Sequence, residues 1–451
     1  MRFIDLFAGI GGFHKALLEL GHECVFASEL DPVLRETYKL NWGEEINIHG
    51  DIRKIVKNNI EIIPEHDILC AGFPCQPFSK AGKQLGREDE RGTLFDEIVK
   101  ILEYRKPRYF ILENVRFIAK HNNEETWKAM KADFGRLGYS VDSKDYSPHN
   151  FGIPQHRERL FIVGALGDNA LEHFSFDEID NYRRPVVDLK DFLDTNPRSC
   201  KYLPKANQDC LKLWQEFINA IPKEVNLPGF PIWGMEFGAT YPYEDKYPHI
   251  LTSEELEKYK GNFGKSLKGM TKEKQLENLP SYARVKDEFP EWKKRYIKLN
   301  RQFYKDNKKY IRDIVKELAK LPSQSWQKLE WNVGNGERII NNYILQFRAS
   351  GIRIKKMDFF PSLVCTNTQI PIIGWQNRYI SRNEGLKLQS LENIQLPEND
   401  NAAFKALGNA VNADIIKHIA RYLLVENDII ANNETEEIAP NHNIEEYGPA
   451  R

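Results

Sequence analysis

The opening residues of this chain admit few architectures. Arg2 to Ala8 reads as a buried strand, glycines follow at Gly9, Gly11 and Gly12, Phe13 to Leu20 has helical periodicity and stops at Gly21, and Glu23 to Ser28 reads as a second strand. Strand, glycine turn, helix and strand make a βαβ unit, whose two strands must lie parallel. The alternation continues. The pattern predicts strands at Asp67–Ala71, Arg108–Leu112, Tyr139–Tyr146 and Arg159–Val163, and helices around Thr93–Tyr104 and Glu124–Leu137. The expected class is α/β, a largely parallel, doubly wound sheet with ligands gathered beyond the carboxyl ends of its strands.

The chain has 451 residues, 41% of them hydrophobic, which is more than one core organises, so two domains and a tail are expected. From about Asn181 to Gln376 the βα rhythm stops, most of the tryptophans occur, and Leu227–Pro231 has loop character. An inserted domain is therefore expected at 181–376, between 1–180 and a return at 377–425. Residues 426–451 are acidic and polar, as disordered tails are. No apolar run reaches membrane-spanning length, and the first residues enter a strand rather than a charged-then-apolar leader; a cytoplasmic address without membrane partners is expected. Six scattered cysteines without a Cys-x-x-Cys pair predict reduced thiols and no metal site.

A formal net charge of -1 does not announce a polyanionic partner, but its distribution is uneven. Between Lys258 and Lys320 basic residues outnumber acidic ones more than two to one, and Trp292–Tyr296 and Arg301–Lys305 interleave aromatics with cations. Such a stretch is either a surface that tracks phosphates or an amphipathic helix with snorkelling lysines, and its own composition favours the helix.

Four segments carry chemistry. In the glycine loop, Gly9, Gly11 and Gly12 let a ligand approach the backbone, and Glu29, 20 residues after Gly9, ends the second strand where a carboxylate takes ribose hydroxyls. The spacing points to an adenosine-type cofactor. The third glycine of a dinucleotide fingerprint falls on His14, which disfavours a nicotinamide dinucleotide; a purely structural turn is the plainer reading. Next, Gly72-Phe73-Pro74-Cys75-Gln76-Pro77-Phe78-Ser79 presents a lone cysteine behind a proline, directly after a strand. Glu113-Asn114-Val115 ends a later strand, Gln155-His156-Arg157-Glu158-Arg159 follows, and Gly408-Asn409-Ala410-Val411 lies near the end. Taken singly these could be inert packing, a turn or cap, and a solvated strand face.

In that order the segments resemble the cytosine-C5 DNA methyltransferases of restriction-modification type, over residues 1 to about 165 and 378 to about 425. Arg91-Gly92-Thr93-Leu94-Phe95 and Arg378–Glu384 also look like family segments. The resemblance implies a Rossmann-like, S-adenosylmethionine-dependent methyltransferase domain with an inserted target-recognition domain. It also implies a cofactor site. Gly9, Gly11 and Gly12 with the following helix N-terminus would meet the methionine carboxylate, Glu29 the ribose and Asp51 the adenine amino group. Phe7, Leu30, Ile52, Pro74, Leu94 and Asn409 would line the pocket. Leu30 departs from the aromatic residue that often follows the ribose glutamate.

Carbon 5 of cytosine is a poor nucleophile unless a thiolate adds at carbon 6 and turns the ring into an enamine, the step that Cys75 suits. Charge then builds at N3, where Glu113 can donate or share a proton. Arg157 and Arg159, two apart on a strand-like segment, are expected to point the same way, one toward the O2 edge of the ring and the other toward the phosphate or the Cys75 loop. The resemblance favours Arg159 for the oxygen. In duplex DNA the base must first be turned out of the stack, with Gln76, Ser79, Arg91 and Ser362 expected on the DNA. Asn335-Gly336 suggests either a tight hairpin reaching a groove or a surface turn. The implied partners are duplex DNA and, genetically, a cognate restriction endonuclease, with the enzyme acting as a monomer. Two rivals are a tRNA cytosine methyltransferase, whose Cys-Phe-Thr tripeptide is missing, and a catalytically silent DNA-binding regulator, for which retention of Cys75, Glu113, Arg157 and Arg159 has no chemical reason.

Overall fold

The computed structural model describes residues 1–74, 93–197, 200–364 and 369–426. They form two compact units, one of Met1–Leu193 with the chain from Asn383 onward, the other of Asp194–Arg382. In the first unit the elements are β1 (Arg2–Leu6), α1 (Gly12–Leu18), β2 (Glu23–Ser28), α2 (Pro32–Trp42), β3 (Ile48–His49), α3 (Ile52–Asn58), β4 (Ile68–Gly72), α4 (Thr93–Arg105), β5 (Tyr109–Val115), α5 (Glu125–Arg136), β6 (Tyr139–Tyr146), β7 (Gln155–His156), β8 (Arg159–Leu166), α6 (Phe176–Asp180) and α7 (Leu189–Phe192).

The sheet of this unit runs β3-β2-β1-β4-β5-β8-β6. Its first five strands are parallel, and β8 is antiparallel to both β5 and β6. Central β4 is apolar along its whole length, Ile68-Leu69-Cys70-Ala71, because helices cover both faces of the sheet. Leu6, Leu69, Phe110 and Ile162 meet Phe95 and Ile98 of α4 and Phe134 of α5. The strand order reverses between β1 and β4, the position at which doubly wound sheets open a crevice for ligands. β1 stops at Leu6, short of the expected Ala8, because Phe7 turns the chain with φ +57°.

The second unit holds α8 (Lys205–Ala220), β9 (Ile232–Trp233), α9 (Ser253–Leu256), α10 (Lys272–Glu277), α11 (Glu291–Leu318), β10 (Lys328–Asn332), β11 (Ile344–Arg348), β12 (Gly351–Lys355), β13 (Phe360–Pro361), β14 (Ile372–Ile373) and β15 (Arg378–Tyr379). Five of these strands join β9 in a sheet of order β15-β14-β11-β12-β10-β9. The chain then returns to the first unit through α12 (Arg382–Leu388), α13 (Asp400–Asn409) and α14 (Ala413–Arg421). The insertion starts and ends later than 181 and 376. Backbone bonds from Arg184 to Asn150 and from Val187 to Gly152 keep residues after 181 in the first unit, and β15 pairs with β14 in the second.

The second half of the basic stretch is an amphipathic helix. α11 turns Ile297, Ile311, Val315 and Leu318 inward, three of them into the cluster that holds Trp214 and Phe217 of α8. Arg301 is half-buried, and its Nε is paired with buried Glu236 at 2.9 Å. Asn335-Gly336 makes a surface turn and no hairpin. β10 pairs with β9 and β12, and the loop after it is closed by the Trp331 indole N–H donating to the Gly334 carbonyl at 3.0 Å. The tight hairpin of this unit joins β11 and β12 through Ala349-Ser350. Among the described residues, no helix is long and apolar enough to cross a membrane, and Cys24, Cys70, Cys200 and Cys210 are unbridged.

Candidate active site

The loop after β1 is fixed from three sides. Gly11 has φ +88°, and a β-carbon there would strike the Trp42 indole, whose N–H donates to the Ile10 carbonyl at 3.2 Å. A β-carbon on Gly12 would lie 2.7 Å from the Val411 carbonyl oxygen, so the segment after α13 packs directly on the start of α1. The Gly9 N–H donates to Glu29 at 2.9 Å, and the other oxygen of Glu29 accepts from the Asp31 N–H at 2.8 Å. Burial pushes the Glu29 carboxyl above the usual range, against the pull of those two N–H groups. A β-carbon on Gly9 would meet nothing within 4 Å, so this glycine borders open space. Beneath the loop, His14 stacks on Trp42 at 4.3 Å and its Nδ1 lies 2.7 Å from the Tyr38 hydroxyl. Burial lowers His14 to about 4, so a neutral imidazole fills the place of the missing glycine as part of the packing.

The neighbouring strand ends supply a carboxylate and a guanidinium. Glu113 on β5 stands opposite Gly72 of β4 and accepts from Arg159 Nε at 2.9 Å. Two residues of antiparallel register separate them, since Val115 faces Arg159 and Glu113 faces Phe161. Asn114, buried, donates through Nδ2 to the Phe73 carbonyl at 3.2 Å and so holds the exit of β4 two residues before Cys75. Arg157 does not point with Arg159. It precedes β8, outside the pleat that would align the two, and its Nη2 donates to the Gly408 and Ala410 carbonyls at 2.9 and 3.1 Å. Its N–H donates to Ser147 Oγ at 2.8 Å. Arg157 therefore fastens the 408–411 segment that presses on Gly12. Gly9, Glu29, Gly72 and Glu113 stand at or just beyond the carboxyl ends of β1, β2, β4 and β5, and Arg159 opens antiparallel β8 at the same end, where a carboxylate-guanidinium pair can grip the rim of a flat polar ring.

A family model described as C-5 cytosine-specific DNA methylase matches residues 1–424. The chain belongs to that family. It is similar to the Type II methyltransferase M.HhaI of Haemophilus parahaemolyticus, with 41% identity over 219 residues, 46% of this chain and 65% of that protein. Against M.NgoBI of Neisseria gonorrhoeae the identity is 46% over 188 residues, 42% of this chain and 57% of that protein. The chain thus spans less than two thirds of the length of these two relatives. Against M.BanI of Aneurinibacillus aneurinilyticus the identity is 31% over 453 residues, 95% of this chain and 96% of that protein. A solved structure of a protein encoded within prophage Cp of E. coli has the same fold, with TM-score 0.50 and 18% identity over 94% of this chain and 98% of that one.

The remaining expected residues fall as follows. Phe7 packs partly on the core, Ile52 is buried, and Leu30 is 65% exposed beside Glu29. Asp51 caps α3, accepting from the Arg53 N–H at 3.1 Å and the Arg53 guanidinium at 2.9 Å, which holds its carboxyl below the usual range. An adenine amino group there would share an oxygen already in use. Pro74 is exposed, Leu94 lies half-buried in the first turn of α4, and Asn409 ends α13. Ser362 follows β13 in the second unit, its hydroxyl 3.3 Å from the Leu363 carbonyl. Cys75, Gln76, Ser79 and Arg91 lie outside the described residues. No metal-ligating cluster occurs among the described residues. Asn114, Trp42 and Ser147 were not singled out from the sequence; only Asn114, adjacent to Glu113, carried a signal there.

Proposed function

We propose that this methylase transfers a methyl group from S-adenosylmethionine to carbon 5 of a cytosine turned out of duplex DNA, through a transient bond from Cys75 Sγ to carbon 6. The observation that carries the reading is the Glu113–Arg159 pair, 2.9 Å apart at the end of β5, one strand over from the Phe73 exit that leads into Cys75. As the thiolate adds at carbon 6, Glu113 supplies a proton to N3 and Arg159 holds the O2 edge, so the ring becomes an enamine nucleophilic at carbon 5. Once carbon 5 has taken the methyl group, its proton passes to solvent, the C6–S bond breaks to release the Cys75 thiolate, and N3 returns its proton to Glu113, which restores the aromatic ring. Arg157 acts as a positioning residue through Gly408 and Ala410.

The residues around the first loop fit the cofactor. Gly9 borders open space, Glu29 offers a carboxylate beside it, and Phe7 and Leu30 offer apolar surface to an adenosyl group. S-adenosylmethionine, when bound, supplies an electrophilic methyl group. Since the similar proteins are Type II methyltransferases, the proposed role is protective modification of one DNA sequence, by a monomer, beside a cognate endonuclease. Transfer of labelled methyl from S-adenosylmethionine into duplex DNA but not tRNA is the expected result. A Cys75→Ser variant should bind DNA without turnover, and a 5-fluorocytosine duplex should trap an adduct on Cys75. Normal turnover in that variant defeats the covalent route. Label in tRNA alone moves the substrate to RNA, and label in neither substrate leaves a regulator.

A further inference from the structure

Two lysines of the second unit converge on one tyrosine ring. Lys293, in the first turn of α11, has its Nζ 6.0 Å from the Tyr282 centroid and 5.6 Å from both Phe289 and Trp292. Lys328, at the start of β10 and opposite Trp233 in register, has its Nζ 5.0 Å from Tyr282 and 5.7 Å from Trp233. Tyr282 itself packs on Trp233 at 4.6 Å. The acids around them are engaged elsewhere. Glu288 and Glu291 both go to Lys294 at 3.0 Å, and Glu236 takes the Tyr282 hydroxyl at 2.7 Å, the Tyr241 hydroxyl and Arg301. Neither Lys293 nor Lys328 has an ion-pair partner among the described residues.

Burial holds both ammonium groups below the usual lysine range, and Lys293 depresses Lys328 further. Two crowded, half-desolvated cations without an ion-pair partner, Glu236 offsetting only part of the charge at Lys328, favour an arriving anion, and the Glu291 and Trp292 N–H groups that open the 28-residue α11 add to the same field. Trp292, 56% exposed beside Lys293, offers a flat apolar surface next to that charge. Phosphate beside a sugar and a flat base is the chemistry of a nucleic-acid strand, and a carboxylate or free phosphate would leave the indole uncovered.

We propose that Lys293 and Lys328, around Tyr282 and Trp292, bind backbone phosphates of the nucleic-acid substrate and anchor it independently of base sequence. The proposal rests on the duplex-DNA reading above. Anisotropy of a fluorescein-labelled duplex across a salt series tests it, with Lys293→Gln, Lys328→Gln and the double variant. Each lost lysine should reduce the slope of log K against log salt by about 0.9, for related and unrelated sequences alike. Lys293→Arg should keep the slope, and so should Lys320→Gln two residues past the far end of α11, where Lys320 is paired with Glu317 at 2.7 Å. Unchanged slopes in variants with wild-type thermal unfolding overturn the proposal. If Lys328→Gln does not fold, Lys293→Gln alone decides, because its side chain leaves the first turn of a helix. Methyl transfer by the wild type runs alongside. Duplex methylation with lysine-independent binding defeats only this inference, whereas lysine-dependent binding of RNA without duplex methylation keeps the phosphate site and defeats the substrate reading.

Discussion

Asp5 lies within β1, fully buried, its carboxylate beside the His14 backbone N–H and the Tyr38 hydroxyl, with Cys24 and Cys70 nearby. Burial raises its carboxyl well above the ordinary value of 3.8, and the negative charge of Glu29 pushes the same way. Above that ordinary value the unfolded chain gives up the proton while the folded chain keeps it. This group's contribution to stability is therefore complete below about pH 4 and drains away as pH rises through the folded pKa. Asp5→Asn keeps the shape without the charge. Its urea-unfolding free energy should gain on the wild type steadily between pH 5 and pH 8, by more than about 1 kcal/mol at the upper end, and a pH-independent difference would remove the buried acid. In the proposed mechanism Glu113 exchanges a proton with N3 of the substrate ring. Glu113→Gln should bind DNA but lose roughly 10²–10⁴-fold in single-turnover methylation, and a loss under tenfold would take N3 protonation away from this side chain.

The start of α1 shows what a missing β-carbon does. With the Val411 oxygen only 2.7 Å from where it would sit, Gly12→Ala must push α1 and the 408–411 segment apart. An overpacking loss of about 1–3 kcal/mol is expected in thermal melts, together with weaker S-adenosylmethionine binding by calorimetry. Gly135→Ala is the control. It lies within α5 with nothing near its would-be β-carbon, so the same change should stabilise by about 0.5–1 kcal/mol. The strands Glu23–Ser28 and Tyr139–Tyr146 were legible to the residue because their signals are local. Arg157 was not, for the carbonyls that claim it are 251 and 253 residues away. Arg301 read as a surface cation for the same reason, its partner Glu236 being 65 residues upstream. Glu113 beside Arg159 was half legible: each residue type announced its chemistry, but only the antiparallel placement of β8 against β5 joins them.

Each unit has its own core, the first around β1, β4 and β5 and the second around α8, α11 and β10 to β12, so loss of one core should leave the other largely protected from exchange. Glu236 and Arg301 give a handle on the second. Glu236 has no solvent exposure and neutralises Arg301, which lies over the Tyr241 and Tyr243 rings at 4.4 and 4.7 Å. Glu236→Gln strands that charge, at a cost of about 3–5 kcal/mol, whereas the double change Glu236→Leu with Arg301→Met removes both charges and should recover most of it. S-adenosylmethionine acts on the first unit alone in the proposed site, adding about 2.7 kcal/mol at a hundredfold excess over Kd. Hydrogen exchange separates the two effects. The cofactor should slow exchange in β1, β2 and β4 of every variant and leave α8 and α11 unchanged, while Glu236→Gln should speed exchange in α8 and α11 and leave the cofactor Kd within twofold. Faster exchange in β1 to β5 of that variant, equal to that in α11, would mean that the two cores unfold as one and that the insertion is part of the catalytic unit's stability.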